Sequence, residues 1–328
     1  MQNTFTENIY FQHRKKIWVL TGVVCLFLPT LIQNDYWMHI VNIIGIYILL
    51  TSGLSLVLGT CGQISVGHAA FWGIGAYTSA LLSVKFGFPF WIALILSGFS
   101  GALAAFLIGP VLRLKGNVLA VVTIAFGEIV RGILMNWSGL TNGPSGVLGI
   151  PAPRIGSIVL DSESSFYFVI LGCVIMNLLT QTRLLNSRIG KIWSAIRDNE
   201  LGAESLGVPG KKYKIYVFAV AGFWAGIAGS LYAHLTSFIS PHIFTLHESV
   251  KMLTMVVVGG EGSIGGAVLG TLFLTLSSEY SRAFQEYGMI PYGVMMLLVL
   301  IFAPKGLIGI FHSSLDYLIR LINSKIKR

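Results

Sequence analysis

Apolar residues along this chain gather in runs of about 16–22, not in the short alternations of half-buried strands. The runs fall near residues 17–32, 38–58, 68–84, 89–109, 117–137, 165–182, 215–235, 248–258, 264–280 and 289–303. Nearly all are long enough to cross a bilayer as a helix. The eighth is too short to cross alone and runs into Gly259-Gly260-Glu261-Gly262-Ser263, which reads as half of a broken helix. Such breaks survive in a membrane only where protein or a polar cavity satisfies the freed backbone groups. The expected fold is an all-α polytopic membrane protein of about ten transmembrane or re-entrant helices. A polar N-terminal segment (1–16) precedes the membrane domain (17–310), and a basic tail (311–328) follows it.

Two polar stretches interrupt the pattern. Residues 138–164 are rich in Gly, Pro and Ser, with a turn cluster at Thr141-Asn142-Gly143-Pro144-Ser145-Gly146. Residues 183–214 form the longest polar loop. Within it Ile192, Ala195, Ile196 and Asn199 recur at helical spacing, as do Leu201, Glu204 and Leu206 more loosely. One short amphipathic helix near 192–206 is expected, stopped by Gly207 and Pro209. It fits a groove in a partner protein, or a position along the lipid interface, equally well.

Composition agrees. Hydrophobic residues are 54% of the 328 and charged residues 11%, against about 25% charged in soluble domains. The net charge of +9 would suggest nucleic acid in a soluble protein, but its distribution argues otherwise. With ten crossings, Arg14, Lys15, Lys16, Arg113, Lys115, the seven Lys/Arg from Arg183 to Lys214 and the five from Lys305 to Arg328 share one side. Only Lys85, Arg154 and Arg282 fall on the other. By the positive-inside rule the first side, with both termini, is cytoplasmic. Cys25, Cys61 and Cys173 show neither CxxC nor zinc-ligand spacing and read as small packing residues.

Small residues recur along the apolar runs, as at Gly73, Gly75, Ala76 and Ser79, and at Gly222, Gly226 and Gly229. They predict close helix packing, and a small-residue substrate path is the alternative. The glycine-rich segments Gly59–Gly67 and Gly260–Gly266 echo each other, each before a small-residue helix. The echo fits an inverted repeat of two halves.

No phosphate-binding loop, HExxH or nucleophile elbow is present, so any ATP hydrolysis belongs to another chain. No metal site and no cofactor of this chain are expected. Candidates for a translocation path are polar groups at helix breaks or inside spans: Gln63, Ser65, His68, Glu128, Arg131 and Glu261. Gln63, Ser65 and His68 sit at a break whose exposed backbone can meet a polar substrate, or simply form a bonded turn. Glu128 and Arg131 share a helix face three residues apart, as a packing ion pair or a transport element. Glu248 and Lys251 repeat that spacing and read as structural.

Several stretches, in order, carry a resemblance. They include Gly62-Gln63-Ile64-Ser65-Val66-Gly67-His68-Ala69-Ala70-Phe71, Arg113-Leu114-Lys115-Gly116, Gly127-Glu128-Ile129-Val130-Arg131 and the turn cluster at 141–146. Others are Arg188-Ile189-Gly190, Ala195-Ile196-Arg197-Asp198-Asn199-Glu200, Leu206-Gly207-Val208, Val258-Gly259-Gly260-Glu261-Gly262-Ser263 and Pro304-Lys305-Gly306-Leu307. Over residues 40–310 the chain resembles the LivM-type branched-chain amino-acid permeases of ABC importers. The polar loop is similar to the coupling loop of such permeases, with Glu200, Ala203 and Gly207 in place of a literal Glu-Ala-Ala triplet.

The resemblance implies a permease of the bacterial cytoplasmic (inner) membrane. Its partners would be a second, LivH-type permease, two ATPase subunits of LivG and LivF type that bind ATP and Mg, and a periplasmic or extracellular amino-acid binding protein. The implied ATPase-coupling residues are Ala195, Ile196, Arg197, Asp198, Glu200, Ala203 and Gly207. The implied function is import of leucine, isoleucine and valine. An ion-coupled secondary transporter of small amino acids or amides, with Glu128 or Glu261 as its carboxylate, is the alternative. An intramembrane enzyme would need a catalytic constellation, and the sequence offers none.

Overall fold

The computed structural model describes residues 26–32, 34–114, 116–156, 158–282, 293, 297 and 306–309. The main helices among the described residues are α1 Asp35–Ser55, α2 His68–Val84, α3 Phe90–Leu107, α4 Gly116–Asn136, α5 Glu163–Asn186, α6 Arg188–Asp198, α7 Glu200–Ser205, α8 Gly210–Thr236, α9 Leu246–Gly259 and α10 Ile264–Arg282; all but α6 and α7, which lie in the polar loop, follow the apolar runs. Helix α1 runs on into a π-helical turn, Leu56–Thr60. Four two-residue strands, absent from the all-α expectation, pin the loops: β1 Val147–Leu148 pairs with β4 Phe238–Ile239, and β2 Arg154–Ile155 pairs with β3 Ile158–Val159.

By length and composition, five stretches among the described residues suit a membrane crossing: Asp35–Thr60, α3, α4, α5 and α8. Helices α9 and α10 make a further candidate, bent by 118° at the Gly-rich break, so the eighth and ninth runs are two arms of one bent unit. Helix α2 matches its expected run but has only 17 residues. The runs at 17–25 and 289–303, residues 1–16 and the tail 311–328 lie outside the described residues, apart from the isolated positions 293 and 297.

Helix α8 packs against α2 and α3 at the centre of the bundle. Small residues allow this. A Cβ placed on Gly75 would stand 2.3 Å from the Cα of Gly226, and one on Gly226 would stand 2.1 Å from the Ser97 carbonyl oxygen. The main chains of α2, α8 and α3 therefore touch, so the expected close packing is observed. Buried polar pairs stitch the helices further. Ser79 and Ser230 lie 2.7 Å apart between α2 and α8, and Thr51 and Thr271 2.8 Å apart between α1 and α10. Gln181 of α5 donates to Ser52 of α1 at 3.2 Å, and Ser52 donates to Asn177.

The outer surface is apolar. Along α3, Ile92, Leu96, Phe99, Leu103 and Phe106 are all exposed. A contiguous face of this kind needs lipid or another protein against it. Helix α4 buries Leu119, Thr123, Val130 and Leu134, and its Phe126 ring meets Phe71 of α2.

The two ends of the bundle differ. At one end Arg197 reaches Gly59, Lys214 reaches Leu112, and Gly59 abuts Gly262. At the other, Lys85 bonds to the carbonyls of Gly139 and Leu140, Trp91 to that of Arg154, and β1 pairs with β4. This segregation matches the split of basic residues along the sequence.

Candidate functional site

The polar loop 183–214 folds as two helices where one was expected. Helix α6 starts at Ser187, whose hydroxyl accepts the Ile189 N–H. Gly190, Trp193 and Ile196 form its buried stripe, three residues apart. The Trp193 indole donates to the Tyr213 carbonyl at 2.9 Å and its ring stacks on Tyr216, both on the first turns of α8. The helix stops because Asn199 turns extended (φ −158°, ψ 99°) to cap α7, its side-chain oxygen accepting the Gly202 N–H at 2.9 Å. Helix α7 ends in a Schellman motif. Gly207 N–H bonds to Glu204 O, Val208 N–H bonds to Ala203 O, and Gly207 sits at φ 84°. The predicted stop at Gly207 is thus observed.

A buried ion pair fixes the loop. Lys214 of α8 is fully buried, with Nζ 2.6 Å from Glu200 Oε1 and 3.5 Å from the Leu112 carbonyl. The expected coupling residues therefore divide. Ile196 and Ala203 pack inward, Glu200 pairs with Lys214, and Arg197 donates to the Gly59 carbonyl at 2.8 Å. Ala195, Asp198 and Gly207 lie on the outer face. Beside them Leu201 and Leu206 project, 71% and 86% exposed. Lys214 counted in the sequence only as one of the loop's basic residues. Its separation from Leu112 along the chain left no local signal.

After the π-helical turn the chain turns back at Gly62 (φ 67°) and runs without regular structure to α2. The freed backbone groups find side chains: Val66 N–H bonds to Thr123 Oγ1, and Ala69 N–H to Ser249 Oγ, both at 3.0 Å. Gln63 donates to the Cys61 carbonyl at 3.2 Å. Gln63 Oε1, Ser65 Oγ and His68 Nε2 are buried with no partner among the described residues. An unpaired buried polar atom is costly, so each is a place where a passing polar group or a water would be stabilised.

Just beyond, Val66 of this break and Ala69 and Ala70 of α2 line a narrow cleft with Ile124, Gly127 and Glu128 of α4 and with Phe244, Thr245, Leu246 and Ser249 at the start of α9. Its wall is mostly apolar, with one carboxylate (Glu128) and two hydroxyls (Thr245 and Ser249). Arg131 holds that carboxylate through Nε and Nη2, at 2.9 and 2.6 Å from Oε2. Both side chains remain partly exposed, at 30% for Arg131 and 42% for Glu128. The structure thus brings the break at Gln63–His68 and Glu128–Arg131 to one region. Glu261 stands apart, exposed at the second break beside the loop end of the bundle.

Glu248 and Lys251 bridge helices. Tyr47 of α1 donates to Glu248 at 2.6 Å, Lys251 donates to Tyr47 at 3.1 Å, and the two charges are 3.7 Å apart. Glu248 and Lys251 thus sit in one bonded cluster between α1 and α9.

Comparison with known proteins places these features. The family profile described as branched-chain amino acid transport system / permease component matches residues 36–300. The high-affinity branched-chain amino acid transport system permease protein LivM of Escherichia coli K12 is 39% identical over 287 residues, covering 80% of this chain and 68% of that one. LivH of the corresponding system in Salmonella typhimurium is 27% identical over 286 residues, covering 80% and 91%. The autoinducer 2 import system permease protein LsrC of Escherichia coli O9:H4 is 28% identical over 281 residues, covering 81% and 79%.

Proposed function

Because this chain belongs to the family of branched-chain amino acid transport system permease components, we propose that it is the membrane-spanning permease subunit of an ABC importer carrying leucine, isoleucine and valine into the cytoplasm. ATP and Mg are bound and hydrolysed by two partner ATPases, of LivG and LivF type. A LivH-type permease completes the membrane part, and an external binding protein delivers the substrate. The observation that carries this reading is the loop 183–214. It is bolted to the core by Trp193 and Lys214, yet it presents Leu201 and Leu206 to whatever lies outside. A helix that merely rested on lipid would need no such anchorage.

The end bearing α6 and α7 faces the cytoplasm, in keeping with the concentration of Lys and Arg there. The turn-rich segment 138–164 at the opposite end offers the surface for the binding protein. Finer features belong to this proposal: about ten transmembrane or re-entrant helices in all, and two halves related as an inverted repeat. The meeting of Gly59 with Gly262, one from each glycine-rich break, supports the latter.

The test of the loop is direct. Replacing Leu201 and Leu206 by Asp should weaken ATPase attachment by about tenfold or more per side chain. In mild detergent the permease would then purify without its ATPases. Normal co-purification and uptake would remove the loop as their docking surface.

The cleft beside Glu128 belongs to the translocation path in this reading. At about 10 Å³ it is closed to an amino acid in this state; opening it would expose an apolar wall and a carboxylate that suits an ammonium group. A charge pair half-exposed on a helix of apolar surface calls for a polar path or another protein beside it. Glu128→Gln is expected to slow uptake by about tenfold in the assembled transporter. If the double variant Glu128→Leu, Arg131→Leu transports normally, the pair serves packing alone.

A further inference from the structure

We infer that Arg197 is the positioning residue through which the loop moves the first helix break, instead of a contact to the ATPase. This rests on the importer reading above.

Helix α1 ends in the π-helical turn Leu56–Thr60. π-helical turns are rare and mark sites of local adjustment. Within this turn the carbonyls of Leu56, Val57 and Leu58 accept from the N–H groups of Cys61, Gln63 and Gly62. The next carbonyl, Gly59, takes Arg197 Nη1 at 2.8 Å. Arg197 therefore continues the cap of α1 where the main chain stops supplying donors. Asp198 Oδ1 accepts from Nε and Nη2, both at 3.1 Å, which holds the guanidinium fork in place. The stem of Arg197 lies over Gly62, where a Cβ would stand 2.9 Å from its Cγ.

Gly59 also meets the second break. A Cβ there would stand 1.9 Å from the Gly262 nitrogen, so main chain rests on main chain. Three segments far apart in sequence thus converge at one carbonyl: the loop, the end of α1, and the turn between α9 and α10. The loop has a second fixed point, the Glu200–Lys214 pair on α8, the helix packed centrally with α2 and α3. A push on the exposed face of α6 and α7 is held at Lys214 and delivered at Gly59. From there it reaches both breaks, and the first leads straight to Gln63, Ser65 and His68.

A lysine retains the charge of Arg197 but not a fork that spans Gly59 and Asp198 together. The experiment uses the complete transporter in proteoliposomes, with leucine uptake and ATP hydrolysis measured together for Arg197→Ala and Arg197→Lys. Both variants should keep the ATPases bound, and leucine moved per ATP should fall about tenfold or more. Hydrogen exchange of the peptide covering residues 56–63 supplies a second readout. Its exchange should respond to ATP in the parent transporter and lose that response in both variants. Unchanged stoichiometry, or an unchanged response of that peptide, would overturn the assignment. Loss of the ATPases from the variants would also overturn it, by making Arg197 a docking residue. Absence of ATPases from the parent preparation would instead defeat the importer reading itself.

Discussion

Gly75→Val is expected to abolish the folded permease, read as loss of the monodisperse peak in detergent. The Cβ it adds would fall 2.3 Å from the Gly226 Cα and 2.4 Å from its carbonyl oxygen. Neither atom belongs to a flexible side chain that can swing aside, so α2 and α8 must separate. Gly226 is in turn pressed against Ser97 of α3, and parting α2 from α8 disturbs that seam too. Overpacking of ordinary cores costs about 1–3 kcal/mol. A clash of main chain with main chain should lie at or above the top of that range, against a total stability of about 5–15 kcal/mol. Gly172 of α5 has nothing within 4 Å of the same position, so Gly172→Ala is the matched control and should leave the profile unchanged. A Gly75→Val protein with the parent's melting temperature would mean that the three-helix seam does not hold the bundle together.

The helices were legible where lipid sets the rule. The runs at 38–58, 68–84, 89–109, 117–137, 165–182 and 215–235 all correspond to helices, each boundary within about five residues. Apolar length is enough there, because each helix satisfies its own backbone. The break in the polar loop was less visible. Asn199 is spaced as if it continued a helix, and only its capping of Gly202 shows why it ends one. The division of the coupling residues into inward and outward sets was not legible at all. Arg197 and Glu200 look like surface charges until Gly59 and Lys214, distant in sequence, are placed beside them. The partners of the first break, Thr123 and Ser249, escaped for the same reason. Hydroxyls in an apolar run carry no pattern that names the N–H they serve.

Lys214→Ala is expected to cost about 3–5 kcal/mol, because it strands a largely buried carboxylate. Glu200 is only 16% exposed and faces Lys214 at 2.6 Å. The same change removes the donor near the Leu112 carbonyl, at the linker between α3 and α4. Without the pair, α7 is no longer held to α8, and the Schellman end at Gly207 has no fixed base. Thermal unfolding in detergent should therefore begin at lower temperature, and uptake should fall together with ATPase attachment. That differs from Arg197→Ala, where attachment should persist while uptake per ATP falls. The double variant Lys214→Met, Glu200→Met tests the physics. Well-packed apolar pairs often replace buried ion pairs at little or no cost, so stability should largely return. Uptake should return with it if the pair acts as an anchor alone. A double variant that regains stability but stays inactive would show that the charges serve transport as well as attachment. A Lys214→Ala transporter as stable and active as the parent would mean that the loop is held by the Trp193 contacts alone.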